Sequence, residues 1–163
     1  MSFDTIYKYN ENIMADKIIA IASDHGGFEL KKELSRHLDK SGWMVKDLGT
    51  FGTEAVDYPD RADEMAKWMG FNPDKFGILI CGSGIGMSIA ANRYRNIRAA
   101  LCHDKDTASL ARQHNNANVL CLGARLMSKE DAKECVDTFL STEFEGGRHE
   151  ARVAKLSNFV KRQ

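Results

Sequence analysis

The sequence predicts an α/β fold in which a five-stranded parallel sheet is covered by helices on both faces, with one extra helix near the C-terminus. Three observations lead to this prediction. Five short runs are almost entirely apolar, as in strands that are buried on both faces of a sheet. Segments with helical spacing of apolar residues alternate with these runs. Polar and glycine-containing turns separate the two kinds of segment.

The predicted strands share an apolar run that stops at a turn signal, and they span Lys17–Ser23, Trp43–Asp47, Phe76–Cys81, Ile97–Leu101 and Val119–Leu122. The first run stops at Asp24-His25-Gly26-Gly27, and the last stops at Gly123. Glycine and aspartate at such positions end a strand because they favour turns. Strand and turn therefore alternate regularly along the chain.

The predicted helices span Phe28–Ser41, about Pro59 to Trp68, Met87–Tyr94, Asp104–Gln113, Ser128–Thr142 and Arg148–Lys161. The first has an apolar stripe that begins at Phe28, and Gly42 ends it. Pro59 suits the first turn of a helix. Ser128 is a helix-capping residue with Asp131 three residues later, which resembles a capping box.

Composition and charge exclude several classes of protein. Lys plus Arg and Asp plus Glu both number 23, and this zero balance argues against a nucleic-acid or membrane partner held by net charge. No run approaches the roughly 18 apolar residues of a membrane span. Four cysteines without a CxxC pair argue against a disulfide framework and favour a reducing, cytoplasmic location.

The chain is expected to divide into an extension and one domain. Residues 1–16 mix charged, amide and apolar side chains and lack the apolar centre of a signal peptide, so we expect a flexible N-terminal extension. Residues 17–163 carry every predicted strand and helix, and a single domain of that length can bury a good core.

A glycine-rich loop, Cys81-Gly82-Ser83-Gly84-Ile85-Gly86, follows the third strand, where parallel sheets bind ligands. Alternate glycines let backbone N–H groups point into one concavity, and the next helix adds its N-terminal dipole, which makes an anion nest. Cys81 stands at the mouth of this nest, where the thiolate form is favoured. A base beside an oxyanion hole suits proton abstraction next to a carbonyl, with Ser83 as a further donor.

Two other interpretations of this loop stay open on its residues alone. A cysteine at a strand end is often simply a core residue. A dinucleotide-binding loop would read GxGxxG after the first strand, whereas this loop follows the third and has Met87 in the last position. Asp104 is only a weak match for the acidic residue that binds ribose in such proteins.

Other polar positions give weaker signals. Asp24-His25 could transfer a proton at a sugar-ring oxygen, or form a turn. Asp57-Tyr58-Pro59 could equally be a cap and first helical turn. His114 suits general acid–base work, although a helix C-terminus also stabilises a charged histidine.

Two arginines suggest an anion site. Arg148 and Arg152 lie four residues apart after Gly146-Gly147, so they share a face in the first turns of the last helix. Cations there oppose the helix dipole unless an anion such as phosphate binds between them. Arg125, after the fifth strand, could add a third contact. A solvated face with nearby glutamates is the alternative, and no His/Cys spacing indicates a metal site.

Six motifs occur in order: Ser23-Asp24-His25-Gly26-Gly27, Asp57-Tyr58-Pro59, Ile80-Cys81-Gly82-Ser83-Gly84-Ile85-Gly86, Ser88-Ile89-Ala90-Ala91-Asn92, Arg112-Gln113-His114-Asn115 and Glu145-Gly146-Gly147-Arg148-His149. Together they closely resemble the type B ribose-5-phosphate isomerase family, which includes the galactose-6-phosphate isomerase subunits. The resemblance runs from about Lys17 to the C-terminus.

The resemblance implies a Rossmann-like three-layer sandwich and a homodimer with active sites at the subunit interface; whether dimers pair into tetramers stays open. It implies an aldose–ketose isomerase of the non-oxidative pentose phosphate pathway. The enzyme would interconvert ribose 5-phosphate and ribulose 5-phosphate through an enediolate, without a metal or organic cofactor.

The resemblance also implies residue roles. Cys81 is the base that moves the proton between C1 and C2, and Ser83 lies in the enediolate hole with Gly82, Gly84, Ile85 and Gly86. Asp24 and His114 open the sugar ring. The implied phosphate contacts are His25, Arg125, Arg148 and Arg152, and the implied sugar contacts are Asp57, Tyr58 and Asn115. One branch of the family has a glutamate base just after the loop, where this sequence has Met87. Ser83 stands where many relatives have threonine.

Two alternatives to this function remain. An isomerase of allose 6-phosphate or galactose 6-phosphate would act on a substrate one carbon longer, which residue spacing does not reveal. A non-catalytic phosphosugar-binding module would use the same nest without chemistry.

Overall fold

The computed structural model of the chain describes residues 17–157. These residues include a five-stranded sheet made of β1 (Ile18–Ser23), β2 (Met44–Asp47), β3 (Phe76–Cys81), β4 (Ala99–Leu101) and β5 (Val119–Gly123). The strands are all parallel and lie in the order β2-β1-β3-β5-β4. The predicted parallel sheet is therefore confirmed, while the prediction for residues 1–16 lies outside the described range.

The helices are α1 (Phe28–Lys40), α2 (Tyr58–Phe71), α3 (Ile85–Ala91), α4 (Lys105–Asn115), α5 (Lys129–Ser141) and α6 (Glu150–Ser157), with short 3-10 turns at His25–Gly27 and Gly147–His149. Helix α3 begins two residues before its predicted start because Gly84, with φ 75°, caps it. Arg148 lies in a 3-10 turn before α6, so the prediction that it starts the last helix is wrong. The predicted end of the last helix, at Lys161, lies outside the described residues.

Two apolar layers hold the helices to the sheet. Successive residues of a strand point to opposite faces, so Ile19 and Ile21 of β1 pack on one side while Ala20 and Ala22 pack on the other. Helices α1, α4 and α5 contribute to the first layer, and α2 and α3 contribute to the second. The arrangement is the predicted three-layer sandwich.

Because the strands are parallel, the sheet has a carboxyl edge, where every strand ends, and an amino edge, where every strand begins. On β3 and β5, Cys81 pairs with Gly123 at the carboxyl edge, and Gly77 pairs with Val119 near the amino edge. A four-residue step along a strand is about 13 Å. The two edges are therefore separate surfaces of the molecule.

The cysteines behave as the sequence suggests. Cys81, Cys102, Cys121 and Cys135 are all buried free thiols. Cys102 is buried at the end of β4 while the adjacent His103 is exposed, as expected for neighbours in an extended segment. Among residues 17–157, no helix is long and apolar enough to cross a membrane.

Candidate active site

The carboxyl ends of β1 and β3 meet at a cavity of about 320 Å³. The backbone N–H of Asp24, just after β1, donates to the Ile80 carbonyl of β3 at 3.1 Å, which brings the two strand ends together. The cavity is lined by Asp24, Tyr58, Cys81, Gly82, Ser83, Gly86, Arg125 and Leu126. Seven of these residues were predicted from the sequence, and Leu126 was not.

The Cys81 thiol lies at the floor of this cavity, with the residue only 5% exposed. The backbone N–H of Gly84 donates to Cys81 Sγ at 3.1 Å. Helix α3 begins at the next residue, Ile85, so its positive dipole end faces the same sulfur region. An N–H donor and a helix N-terminus both favour negative charge on sulfur over a neutral thiol.

The tight loop depends on glycine at position 84. Gly84 has a left-handed φ, and a Cβ built there would lie 2.5 Å from Leu101 Cδ1 and 2.9 Å from the Leu122 carbonyl carbon. Glycine is the residue that accepts both the backbone angle and the close contact. Glycine at this position therefore holds its own N–H over the Cys81 sulfur.

Asp24 and Arg125 supply charge beside the thiol. Asp24 is buried, and its Oδ1 accepts from the Gly27 N–H at 3.0 Å. A Cβ on Gly82 would lie 3.3 Å from Arg125 Cζ, and one on Gly26 would lie 3.5 Å from Arg125 Nη2 and 3.3 Å from Asp24 Oδ1. The guanidinium therefore lies over the glycine loop and close to the carboxylate.

Tyr58 lines the cavity beside the glycine loop. A Cβ on Gly86 would lie 2.8 Å from ring carbons of Tyr58, so the phenol packs directly on the glycine loop. Asp57 holds the N-cap position of α2, but its side chain makes no capping hydrogen bond. The Val56 N–H donates to His25 Nδ1 at 3.3 Å and ties the loop before α2 to the turn after β1.

His114 and Asn115 lie at the amino edge, away from this cavity. They form the end of α4, which starts after β4 and runs back against the strand direction. Three residues later, the Asn118 carbonyl accepts from the N–H of Gly77 at the start of β3. Cys81 is four residues farther along β3, about 13 Å toward the other edge.

The amino-edge cluster consists of His114, Glu145, Arg148, His149 and Arg152. The imidazoles of His114 and His149 stack with centroids 4.4 Å apart and planes 7° apart. Glu145 Oε2 lies 3.9 Å from His114 Nε2 and 3.7 Å from His149 Nε2. Burial lowers the pKa of His149, the positive charges of His114, Arg148 and Arg152 lower it further, and Glu145 opposes them.

The predicted residues therefore fall into two groups within one chain. At the carboxyl edge lie Asp24, His25, Asp57, Tyr58, Cys81, Gly82, Ser83, Gly84, Ile85, Gly86 and Arg125; at the amino edge lie His114, Asn115, Arg148 and Arg152. One chain does not bring together the predicted ring-opening pair, Asp24 and His114. The two residues are separated because α4 runs opposite to the strands and carries His114 to the amino edge.

Sequence reasoning missed two members of the amino-edge cluster, Glu145 and His149. Both belong to the last of the six motifs and lie four residues apart. This spacing is the signal from which a contact between their side chains could have been predicted. Within the described range, His114, Glu145 and His149 are the group whose ligand atoms, all within 4.8 Å, could hold a metal ion. Parallel rings do not aim their lone pairs at one point, and the adjacent arginine charges suit an anion better than a cation.

The chain is similar to known proteins over most of its length. The family model described as ribose/galactose isomerase matches residues 19–156. Ribose-5-phosphate isomerase B of Escherichia coli is 44% identical over 147 residues, which cover 90% of this chain and 99% of that protein.

Two solved structures extend the similarity to three dimensions. A ribose 5-phosphate isomerase from Thermotoga maritima is 56% identical with a TM-score of 0.84, and the match covers 86% of this chain and 97% of that one. Ribose-5-phosphate isomerase B from Mycoplasma genitalium, solved with bound ribulose 5-phosphate, is 47% identical with a TM-score of 0.85. This match covers 90% of this chain and 97% of that one.

Proposed function

We propose the function of this chain from one premise: the chain belongs to the ribose/galactose isomerase family. It interconverts ribose 5-phosphate and ribulose 5-phosphate, an aldose–ketose isomerisation of the non-oxidative pentose phosphate pathway. The observation that carries the proposal is the Cys81 thiol, which accepts the Gly84 N–H in a cavity beside Asp24 and Arg125.

The proposed reaction moves one proton between neighbouring carbons. In the open-chain aldose, the Cys81 thiolate removes the proton from C2, and the C–H electron pair forms the C1–C2 double bond of an enediolate as the carbonyl π pair moves to O1. Backbone N–H groups of the glycine loop and the Ser83 hydroxyl stabilise the oxyanion. The O2 hydroxyl proton passes to O1, the electron pair left on O2 re-forms the carbonyl at C2, and the C1–C2 double bond takes the proton back from the thiol at C1 to give the ketose.

Cys81 is proposed as the base because its sulfur lines the cavity and accepts a backbone hydrogen bond, and because the position of the glutamate base in one branch of the family has no titratable group here. The Gly84 N–H and the start of α3 both stabilise negative charge on sulfur. The position just after the loop is Met87, which is fully buried in the apolar layer and carries no titratable group.

We further propose that a second copy of the chain completes each site. His114, Asn115, Arg148 and Arg152 lie at the amino edge, too far from Cys81 to act with it in the same chain. In a two-fold symmetric dimer, the amino-edge cluster of one subunit can face the carboxyl-edge cavity of the other, and symmetry makes two such sites. The partner's arginines would then bind the phosphate while His114 of the partner subunit opens the sugar ring.

Exposed apolar surface, near the amino-edge cluster and on the helices, supports this pairing. A groove of about 970 Å³ runs beside Asn115, and its lining includes Tyr94, Ile97, Ala117 and Leu156. Apolar side chains also remain exposed on α3, α4 and α6, namely Ile85, Ile89, Leu110 and Leu156. Mixed apolar and arginine-containing surface of this kind is typical of protein–protein interfaces.

The proposed location is the cytoplasm. All four cysteines are free thiols, and the proposed base must stay reduced to work. The mechanism also needs no metal or organic cofactor, because the thiol and the amide groups supply the base and the oxyanion hole.

The proposal is tested by turnover of purified protein on ribose 5-phosphate, allose 6-phosphate and galactose 6-phosphate. Cys81→Ala should abolish turnover, while Cys135→Ala, which removes a core thiol from α5, should keep it. Near wild-type activity of Cys81→Ala would contradict the assigned base. Faster turnover of a hexose phosphate would favour the alternative substrate, and phosphosugar binding without turnover would favour a binding module.

A further inference from the structure

His149 is a buried histidine in an exposed stretch of chain. It is 6% exposed, whereas its neighbours Arg148 and Glu150 are exposed to solvent. The residue lies in the 3-10 turn after two glycines with left-handed backbone, Gly146 (φ 66°) and Gly147 (φ 54°). Burying a polar ring costs free energy unless it gains partners, so the contacts of this ring need an explanation.

The backbone carries the ring to the end of α4. The Glu145 N–H donates to the Gln113 carbonyl at 3.1 Å, and the His149 N–H donates to the Gly146 carbonyl at 3.0 Å. The first bond holds the segment against the last turn of α4, which contains His114, and the second closes the 3-10 turn. The imidazole of His149 then lies face to face with that of His114.

The stacked contact is compatible with proton transfer by His114 only if the His149 ring stays neutral. Two imidazolium rings 4.4 Å apart would repel, whereas a neutral ring against a charged one is attracted through its π face. The groups that face His149 are His114 on α4, Glu145 on the segment before the turn, and Arg148 and Arg152 beside it. Burial and three of these four groups lower the pKa of His149, which favours the neutral form of this ring when His114 gains a proton.

The second contact of the ring is with a predicted phosphate-binding residue. Arg148 Nε donates to His149 Nε2 at 3.3 Å, so Nε2 is an acceptor and Nδ1 carries the proton of the neutral ring. We propose that His149 is a positioning residue, which orients the imidazole of His114 through its ring face and the guanidinium of Arg148 through Nε2. This role rests on the proposed function, since it concerns the ring-opening and phosphate-binding steps.

Two variants separate the two contacts. His149→Phe keeps an aromatic face against His114 but loses the nitrogen that accepts from Arg148. His149→Ala loses both. His37→Ala is the matched control, because His37 also contacts a carboxylate, Asp137 Oδ1 at 2.7 Å, on the surface between α1 and α5.

We expect His149→Phe to raise KM for ribose 5-phosphate about tenfold with kcat changed less than about threefold. We expect His149→Ala also to lower kcat, by about tenfold or more.

A second assay distinguishes positioning of His114 from general damage. Ribulose 5-phosphate has no free hydroxyl at C5 and stays open-chain, so exchange of its C1 hydrogen with heavy water needs Cys81 but no ring opening. The proposal predicts that His149→Ala keeps this exchange within about threefold of wild type while turnover of ribose 5-phosphate falls. Equal losses in both assays, or no loss in either, would overturn it.

A third measurement does not depend on activity. The ring of His149 should shift the proton resonances of the His114 imidazole, so His149→Ala should move them, His149→Phe should leave them displaced by its own ring, and His37→Ala should leave them unchanged. If the wild-type protein turns over no phosphosugar, the proposed function fails. Unmoved His114 resonances in His149→Ala overturn the positioning role whatever the activity.

Discussion

Cys81 and His114 lie at opposite edges of the same parallel sheet. Cys81 ends β3, where its sulfur accepts the Gly84 N–H, and His114 lies in the last turn of α4, beside the strand beginnings. The separation along β3 alone is about 13 Å. The two residues to which we assign complementary roles would therefore meet only between two chains.

Co-expression of two inactive variants should restore activity. In a heterodimer of Cys81→Ala and His114→Asn chains, one site combines both defects and the other combines both intact residues. Random pairing at equal expression makes about half of the dimers heterodimers, so we expect about a quarter of wild-type turnover. Turnover of ribose 5-phosphate by the purified mixture is the measurement.

The control for this experiment is co-expression of Cys81→Ala with the double variant Cys81→Ala/His114→Asn, which contains no intact Cys81 and should stay inactive. Mass measurement by light scattering checks that the mixture is dimeric. Recovery no greater than the sum of the two single variants contradicts a shared site.

Much of the carboxyl-edge site could be predicted because strand ends are visible in the sequence. Apolar runs record burial on both faces of the sheet, and the residues after them converge in any parallel sheet. Gly84 could also be predicted as part of the anion nest, because a helix cap with left-handed backbone favours glycine. His114 lies at the amino edge because α4 follows β4 and runs back in the opposite direction, so that the end of the helix lies beside the beginnings of the strands.

The contact between His114 and His149 could not be predicted in the same way. It depends on how residues 142–149 fold back after α5 onto the end of α4, and hydrogen bonds such as that from Glu145 to Gln113 decide this. Loop conformation of this kind leaves no periodicity in the sequence. The prediction that Arg148 starts the last helix is wrong for a related reason, because a 3-10 turn and the start of an α-helix have similar sequence signals.

Cys81 should be the thiol that reacts first with iodoacetamide. Burial raises the pKa of Cys102 to about 11 and that of Cys135 to about 12, so both stay protonated near neutral pH. Cys81 instead lines the cavity and accepts an N–H. Peptide mass spectrometry should find alkylation at Cys81, parallel loss of turnover, and protection by ribose 5-phosphate. Earlier labelling of Cys102 or Cys135 would contradict the assignment.

Gly84→Ala should destabilise the protein and reduce turnover. The backbone there has φ 75°, which costs a residue with a Cβ about 1–2 kcal/mol, and the new methyl would also press on Leu101 and Leu122. Gly42→Ala is the matched control, because Gly42 has φ 81° and a Cβ there would meet no atom within 4 Å. Urea unfolding should show a larger loss for Gly84→Ala. Equal losses for the two variants would show that the contact does not matter.

Lys31 and Asp47 should respond unequally to substitution. Lys31 is 1% exposed, and its Nζ donates at 2.6 Å to both Asp47 Oδ1 and the Thr50 carbonyl, whereas the Asp47 side chain is 39% exposed. Asp47→Ala removes the negative charge that pairs with the buried ammonium and leaves it the neutral Thr50 carbonyl, at a cost of about 3–5 kcal/mol. Lys31→Met leaves a carboxylate that water can reach, so its cost should be smaller.

Urea unfolding of both variants checks this order, with Arg36→Ala as control because Arg36 pairs with Glu33 on the surface. That control should change the free energy of unfolding by less than about 0.5 kcal/mol. A smaller loss for Asp47→Ala than for Lys31→Met would show that the buried ammonium finds other partners, and the description of this pair would then be wrong.

The stability difference between wild type and His149→Phe should shrink in acid. Burial and adjacent positive charge lower the pKa of His149 in the folded protein, so from its unfolded value of about 6.5 downward the unfolded chain binds more protons. The wild type therefore loses stability as pH falls through this window, and the phenylalanine variant lacks that loss.

Urea unfolding of both proteins between about pH 7.5 and about pH 5.5 measures the effect. His103→Phe removes an exposed histidine and is the control, with a difference from wild type that changes less with pH. A wild-type advantage over His149→Phe that grows in acid would mean that the folded state favours the charged ring. His149 could then not be the neutral partner of a protonated His114, and the stack would have to be explained by their shared contact with Glu145.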